Sequence, residues 1–272
     1  MGLMFRGGFV RREKGGTAFY SCIALNEIPF LRHGFSTRHG GVSALSADSL
    51  NLSLVSWDSA ANVAENRRRF LAALGLEHVH VATLSQVHSD RLHILDENVP
   101  AENGRPEADA LATRQRGIAI AVQVADCFPI IVVDPKNRAV AAVHAGWRGT
   151  LARIFTKTVA GMRAAFGSEA SDLITAVGPG IHPCSFEVGP EVAEEFRVEY
   201  PGAYLSRPHP AQQGKYLLDL PQALRIQFQE AGLRPDSIFD LDACTCCNTN
   251  EFFSYRGEGT YSGRMMALVC LE

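Results

Sequence analysis

The sequence predicts an α+β fold built as one domain, and three observations carry that prediction. Eight short runs rich in β-branched residues end at Gly, Pro or Asp, as strands do. Four segments show apolar residues at helical spacing or open on a proline suited to a first helical turn. No repeat, low-complexity tract or Pro/Gly/Ser linker divides the 272 residues, a length that one large domain can hold.

In chain order, residues 1–16, "MGLMFRGGFVRREKGG", read as a frayed lead-in to a single domain over 17–272. The stretch lacks a signal-peptide apolar block, and Arg6 stands where a myristoylation signal needs Ser or Thr. Asp58 to Gly75 reads as a helix capped by Asp58, with Val63, Phe70, Leu71 and Leu74 on one stripe and Gly75 ending it. Strands follow over Val79–Leu84, Arg91–Leu95, Ile118–Val124, Pro129–Asp134 and Ala139–His144. The "VDPKNRAV" stretch predicts a hairpin turn, with Asn137 taking the positive φ. Leu151 to Phe166 is the clearest helix, with Thr150 as its cap, so the "GWRG" loop would feed a helix N-terminus. A strand at Leu173–Val177, helices near Pro190–Tyr200 and Pro221–Ala231, and strands at Ile238–Leu241 and Met265–Leu271 complete the reading.

Composition narrows the function. A net charge of −3 and a pI near 6.3 give none of the basic excess of a nucleic-acid binder. The best apolar run, 117–133, is broken by Gln123 and Asp126, so no membrane span is expected. Seven cysteines, an odd and uneven set, do not make a secreted disulfide framework. A cytoplasmic monomer with free thiols is the expectation.

The predicted hairpin brings Cys127 and His144 to one rim of a paired sheet. His88, after a predicted strand, offers a third donor. Cys plus two His suits zinc and leaves a fourth position open. The spacings of 39 and 17 residues match no local finger motif, and two other readings stand beside this one. Cys127 and His144 can be ordinary core residues, or Cys127 can be a nucleophile activated by His144. Arg38, Arg148, Arg256 and Arg264, each beside glycine-rich turns, suggest an anionic or polyhydroxylated substrate, with Arg148 at a helix start. His78 and His80 form an HxH pair best read as a surface pair. Cys244, Cys246 and Cys247 are read as plain thiols rather than a structural zinc site, and Cys184 and His182 lie in a turn-rich loop.

From Phe35 to Met265 the motifs "FSTRHGGVS", "SLNLS", "ENRRRF", "SQVH", "EADALAT", "VADCFPIIVVD", "AVHAGWRGT", "GPGIHPCSFEVG" and "FFSYRGEGTYSGRM" occur in order. Together they resemble the YfiH/YlmD-like family, also called the laccase-domain or polyphenol oxidase family. It includes the bacterial peptidoglycan editing factor and the human laccase-domain purine enzyme. The resemblance implies a layered α/β sandwich of mixed sheets and outer helices, shared with cytotoxic necrotizing factor. It implies zinc, with copper as an alternative, on His88, Cys127 and His144. It implies phosphorolysis of adenosine, inosine, guanosine or methylthioadenosine, with nucleoside and phosphate as partners, and adenosine deamination in some members. Copper-dependent polyphenol oxidation and hydrolytic editing of cell-wall precursors are the alternatives. Asp126, Cys127 and Arg148 are then the catalytic candidates, and Arg38, Asn51, Gln86, Arg148 and Arg264 the substrate-binding ones. The chain departs from the family pattern at Gly257, where a second arginine is expected, at His182, and at the extra Cys246-Cys247 pair.

Overall fold

The computed structural model describes residues 8–44, 49–95 and 104–272. One six-stranded sheet runs, edge to edge, through β1 (Phe9–Lys14), β2 (Thr17–Cys22), β3 (Leu31–Ser36), β16 (Met265–Leu271), β8 (Ile118–Val124) and β5 (His80–Ala82). A second runs through β15 (Ile238–Asp240), β11 (Ile174–Val177), β9 (Phe128–Asp134), β10 (Ala139–Ala145), β7 (Ala110–Thr113) and β6 (Leu92–Ile94). Both are mixed: β5 on β8, β6 on β7 and β15 on β11 are parallel, and the other pairs antiparallel. A small third sheet joins β12 (Glu187–Val188), β14 (Tyr216–Leu218) and β13 (Ser206–Pro208), and β4 (His39–Ser43) lies against the long helix α2 (Ala60–Leu74). The remaining helices are α1 (Ile23–Asn26), α3 (Trp147–Leu151), α4 (Ile154–Phe166), α5 (Pro190–Glu199), α6 (Leu220–Glu230) and α7 (Tyr255–Glu258).

Strand periodicity explains the layering, because alternate side chains face opposite sides of a sheet. On β9, Ile131 and Val133 face the other large sheet, while Ile130 and Val132 face the helices. On β16, Ala267, Val269 and Leu271 fill the space between the sheets, and Met266, Leu268 and Cys270 meet Phe70, Ala73 and Leu74 of α2. The order is therefore α2, first sheet, second sheet, then α4 and α6. This is the layered sandwich with mixed sheets that the motifs imply. β9 and β10 are buried along their whole length, as strands covered on both faces must be. Each fully buried Val or Ile there contributes about 1.5–3 kcal/mol.

Several local details differ from the sequence reading. Within the stretch read as a lead-in, Phe9–Lys14 forms β1 against β2. Ser59, not Asp58, caps α2, its side chain accepting from the Asn62 N–H. The hairpin turn forms, with the Asp134 carboxylate accepting from Lys136 and Asn137, but Arg138 takes the positive φ. The helix expected over 151–166 is broken: α3 starts at Trp147 after Gly146, and α4 restarts at Ile154. Arg153 sits between them at φ 65°, paired with Glu199 and Glu230 and stacked over Tyr200. Strand bounds agree at Ile118–Val124 and Met265–Leu271.

The Gly-Gly pair after Arg38 serves packing. A Cβ on Gly41 would run into the carbonyl of Ser49. Gly41→Ala therefore destabilises the protein by about 1–3 kcal/mol or more. A thermal melt with Tm lowered by about 2–4 °C per kcal/mol is the expected result; an unchanged Tm would remove the packing explanation.

Candidate functional site

The site lies where the chain changes sheets. Only Ala125, Asp126 and Cys127 separate β8 of the first sheet from β9 of the second. Asp126 makes that sharp turn at φ 84°. Its buried carboxylate accepts from Thr245 Oγ1 at 2.6 Å, Ser254 Oγ at 2.7 Å and the Arg256 N–H at 2.6 Å. These donors fix the turn and so fix Cys127. On β10, His144 pairs in register with Pro129, next to Cys127 across the ladder. The segment carrying His88 runs from the edge strand β5 of one sheet to the edge strand β6 of the other.

Donor atoms of His88, Cys127 and His144 all lie within 4.8 Å of one another. The imidazole rings of His88 and His144 meet edge to face, centroids 5.0 Å apart. A tetrahedral ion with bonds of about 2.0–2.3 Å sets its donors about 3.3–3.8 Å apart, inside that bound, so the three side chains can close on one ion by small movements. Asp109 organises the set. It is fully buried, and its Oδ1 lies 2.8 Å from His144 Nδ1, which leaves Nε2 for an ion. The same carboxylate accepts from the N–H groups of Val87, His88 and Ser89 and from Ser89 Oγ. It thereby holds His88 at φ 59°. A carboxylate behind a ligand histidine is the usual outer partner of such sites. Nothing local in "EADALAT" identified it.

Electrostatics match the donor role. Burial pushes the Cys127 thiol up, but His144 and His88 outweigh burial and leave it at about 6. Burial pushes His144 down, but Cys127 and Asp109 raise it to about 9. Both shifts run in the same direction, favouring thiolate on Cys127 and a protonated His144 when no ion is bound. Three donors of soft and borderline character fit zinc, or copper, with a coordination place to spare. Gly146 is required here, because a Cβ would sit 2.9 Å from Cys127 Sγ and 3.1 Å from His88 Cδ2. Gly146→Ala should therefore lower zinc affinity at least tenfold while circular dichroism stays native. Zinc titration against a chromophoric chelator checks it, and unchanged affinity would contradict it.

The three donors border a cleft of about 680 Å³. Four arginines line it, Arg67, Arg105, Arg256 and Arg264, and the only lining acidic residue among the described residues is Asp126, already engaged. Arg256 donates to the carbonyls of Ser185 and Glu187, and Arg67 Nε to that of Leu52. Of the substrate-binding candidates, Gln86 and Arg264 line the cleft. Gln86 clamps the backbone of Gln123 through both ends of its amide. Burial lowers the Arg264 guanidinium from its ordinary value while the Cys127 charge raises it, and its Nη1 donates to the carbonyls of Ser262 and Gly263.

The other three candidates do not line the cleft. Arg38 is buried against the Phe253 ring, pairs with Glu258 at 2.8 Å and donates to the Thr249 carbonyl. Asn51 is fully buried and accepts from the Arg264 N–H, so it positions that residue from behind. Arg148 is exposed on α3, its Cζ 4.3 Å from the Trp147 ring centroid. Its glycines serve the ligand set and the helix start rather than an anion. Arg67 and Arg105 do line the cleft, and nothing in their local sequence marks them; Arg67 lies in the polar "ENRRRF" stretch of α2. His78 and His80 are exposed, as a surface pair would be.

Two sheets between helix layers thus hold a Cys-His-His set beside an arginine-lined cleft. Residues 32–272 match the family described as multi-copper polyphenol oxidoreductase laccase, and the chain belongs to that family. It is 38% identical over 240 residues to the purine nucleoside phosphorylase of Deinococcus radiodurans, covering 88% of each chain. It is 37% identical over 237 residues to the purine nucleoside phosphorylase YfiH of Escherichia coli, covering 87% of this chain and 92% of that one. The crystal structure of YlmD from Geobacillus stearothermophilus superposes with a TM-score of 0.88 at 30% identity, over 98% of this chain and 100% of that one. No helix of the described residues is long and apolar enough to cross a membrane.

Proposed function

We propose that this chain is a zinc-dependent purine nucleoside phosphorylase acting on adenosine, inosine, guanosine or methylthioadenosine. One observation carries the reading: four arginines and a Cys-His-His donor set line a single cleft. The names of the relatives support it. In phosphorolysis a phosphate oxygen bonds to C1′ as the bond from C1′ to the purine breaks, its electrons leaving on the base. The cationic wall attracts and orients phosphate, since arginine binds phosphate by charge-assisted, often bidentate hydrogen bonds. Held next to the sugar, that phosphate gains from proximity and orientation. His88, Cys127 and His144 hold zinc, which when bound supplies Lewis-acid stabilisation of developing negative charge. Asp109 keeps His144 in the tautomer that presents Nε2. Asp126 serves as a positioning residue, because three donors occupy its carboxylate. Deamination needs a general acid/base at the purine, and the candidate for it, Asp126, is already engaged by three donors, so phosphorolysis is the reading the geometry favours.

A panel of nucleosides, incubated with and without phosphate on protein of known metal content, tests this. Free purine and pentose 1-phosphate should form only when phosphate is present. Base release that ignores phosphate, or none at all, would overturn the proposal. The thiolate facing an imidazolium favours one second reading, a Cys-His hydrolase acting on amides of cell-wall precursors. That activity would survive removal of metal and end on alkylation of Cys127. Arg264→Gln should raise the KM for phosphate at least tenfold, about 1.4 kcal/mol or more of lost binding, with a smaller change in kcat. An unchanged phosphate KM would remove Arg264 from phosphate recognition.

A further inference from the structure

We infer that the chain carries a second metal site, a three-thiolate centre for a soft d10 ion, Zn2+ or Cu+, formed by Cys184, Cys244 and Cys247. Their sulfur atoms all lie within 4.8 Å of one another, with Cys184 Sγ 3.3 Å from Cys247 Sγ. The set shares no residue with the cleft donors, and none of the three lines the cleft. Cys244 and Cys247 stand at Cys-x-x-Cys spacing, the bite of many zinc half-sites. The neighbouring pair Cys246-Cys247 hides that spacing in the sequence. Cys184 comes from the loop after β11, and the other two from the loop after β15.

The loops are tied together by backbone before any ion binds. Thr245 N–H donates to the Gly180 carbonyl at 3.0 Å and Gly180 N–H to the Ala243 carbonyl at 3.3 Å. His182 N–H points at Cys244 Sγ at 3.5 Å, a donor that favours thiolate there. Ser185 Oγ touches all three sulfurs, at 3.3 Å from Cys247, 3.7 Å from Cys184 and 3.9 Å from Cys244. It is placed to complete four donors around one ion. A set with three sulfurs and no carboxylate selects a soft or borderline ion over magnesium or calcium. Cys184 and Cys247 are exposed and Cys244 is buried, so the ion has an entry path and an anchored floor. Bound there, it would pin the loops that hold Thr245 against Asp126 and that place Ile181 and Phe186 in the cleft wall.

The test is metal stoichiometry on reduced full-length protein. Zinc titrated against a chromophoric chelator should fill two sites in the wild type. Cys127→Ser should keep the second site, and the double variant Cys184→Ala with Cys247→Ala should lose it while keeping the first. With cobalt as the probe, the thiolate-to-metal absorption of the double variant should be about one third that of Cys127→Ser, one thiolate against three. A copper(I) competition titration separates the two ions: tighter retention of Cu+ assigns copper, and of zinc, zinc. The single variant Cys247→Ser, at an exposed position, should also lose the second equivalent. Saturation of reduced wild type at one equivalent would overturn the inference. So would a second equivalent that survives in both variants, or a Cys184–Cys247 disulfide that persists under reductant and excludes metal.

Discussion

Cys127→Ser protein should lose its cleft zinc and at least about a hundredfold in phosphate-dependent purine release, the upper range for loss of even an outer partner of a metal site. The substitution changes volume little, so the fold should stand. What disappears is the donor. His144 and His88 hold the Cys127 thiol at about 6, so near neutral pH it is largely thiolate, and a serine hydroxyl does not ionise in that range. Two imidazoles remain, one of them His144, whose raised value of about 9 rests partly on the lost sulfur charge. Zinc content by elemental analysis, followed beside turnover, gives the result. Wild-type turnover in metal-free Cys127→Ser protein would refute the metal role.

Asp109→Ala should strike both stability and the site. The carboxylate is the shared acceptor of four groups between Val87 and Ser89 and the partner of His144 Nδ1. Removing it strands those donors in a buried place, and loss of one partner of a buried charged pair costs about 3–5 kcal/mol. Zinc affinity should fall about 10–100-fold as His88 and His144 lose their orientation. Asp109→Asn separates the two effects. The amide keeps one accepting oxygen and most of the packing, so stability should largely return while zinc affinity stays low. pH adds a check. Burial pushes Asp109 up, but His144 and Ser89 outweigh it and bring it from 3.8 to about 2. A carboxylate depressed by folding stabilises above its unfolded value and loses that contribution as pH falls through the folded one. Wild type should therefore lose stability between about pH 4 and pH 2 more steeply than Asp109→Asn. Identical acid melts would show that the contacts of Asp109 contribute nothing.

The sequence showed most clearly those parts whose causes are local. β8 announces itself by its alternating Ile and Val residues, β16 by an unbroken apolar run, and the turn at Asp134 by its residue types. β7 did not, because "ALAT" is alanine-rich and alanine has little strand preference; it is a strand because two neighbours cover it. The break before α4 was invisible for the same kind of reason. Arg153 leaves the helical region to reach Glu199 and Glu230, 46 and 77 residues away. At the site, hairpin geometry sufficed to bring Cys127 beside His144, but His88 joins them only through Asp109, a contact across 21 residues. Arg38 looked like a ligand residue because glycines follow it, yet those glycines serve β4, and the guanidinium is spent on Glu258 and Phe253.

Both segments that carry the outer donors, Ala125–Cys127 and the stretch around His88, are places where the backbone passes from one sheet to the other. The site therefore sits at the seam between the sheets, with Asp109 beside β7 holding both His88 and His144 to the second sheet. An ion bound there would brace the two backbone crossings against each other, so its removal should loosen the seam where the sheets meet.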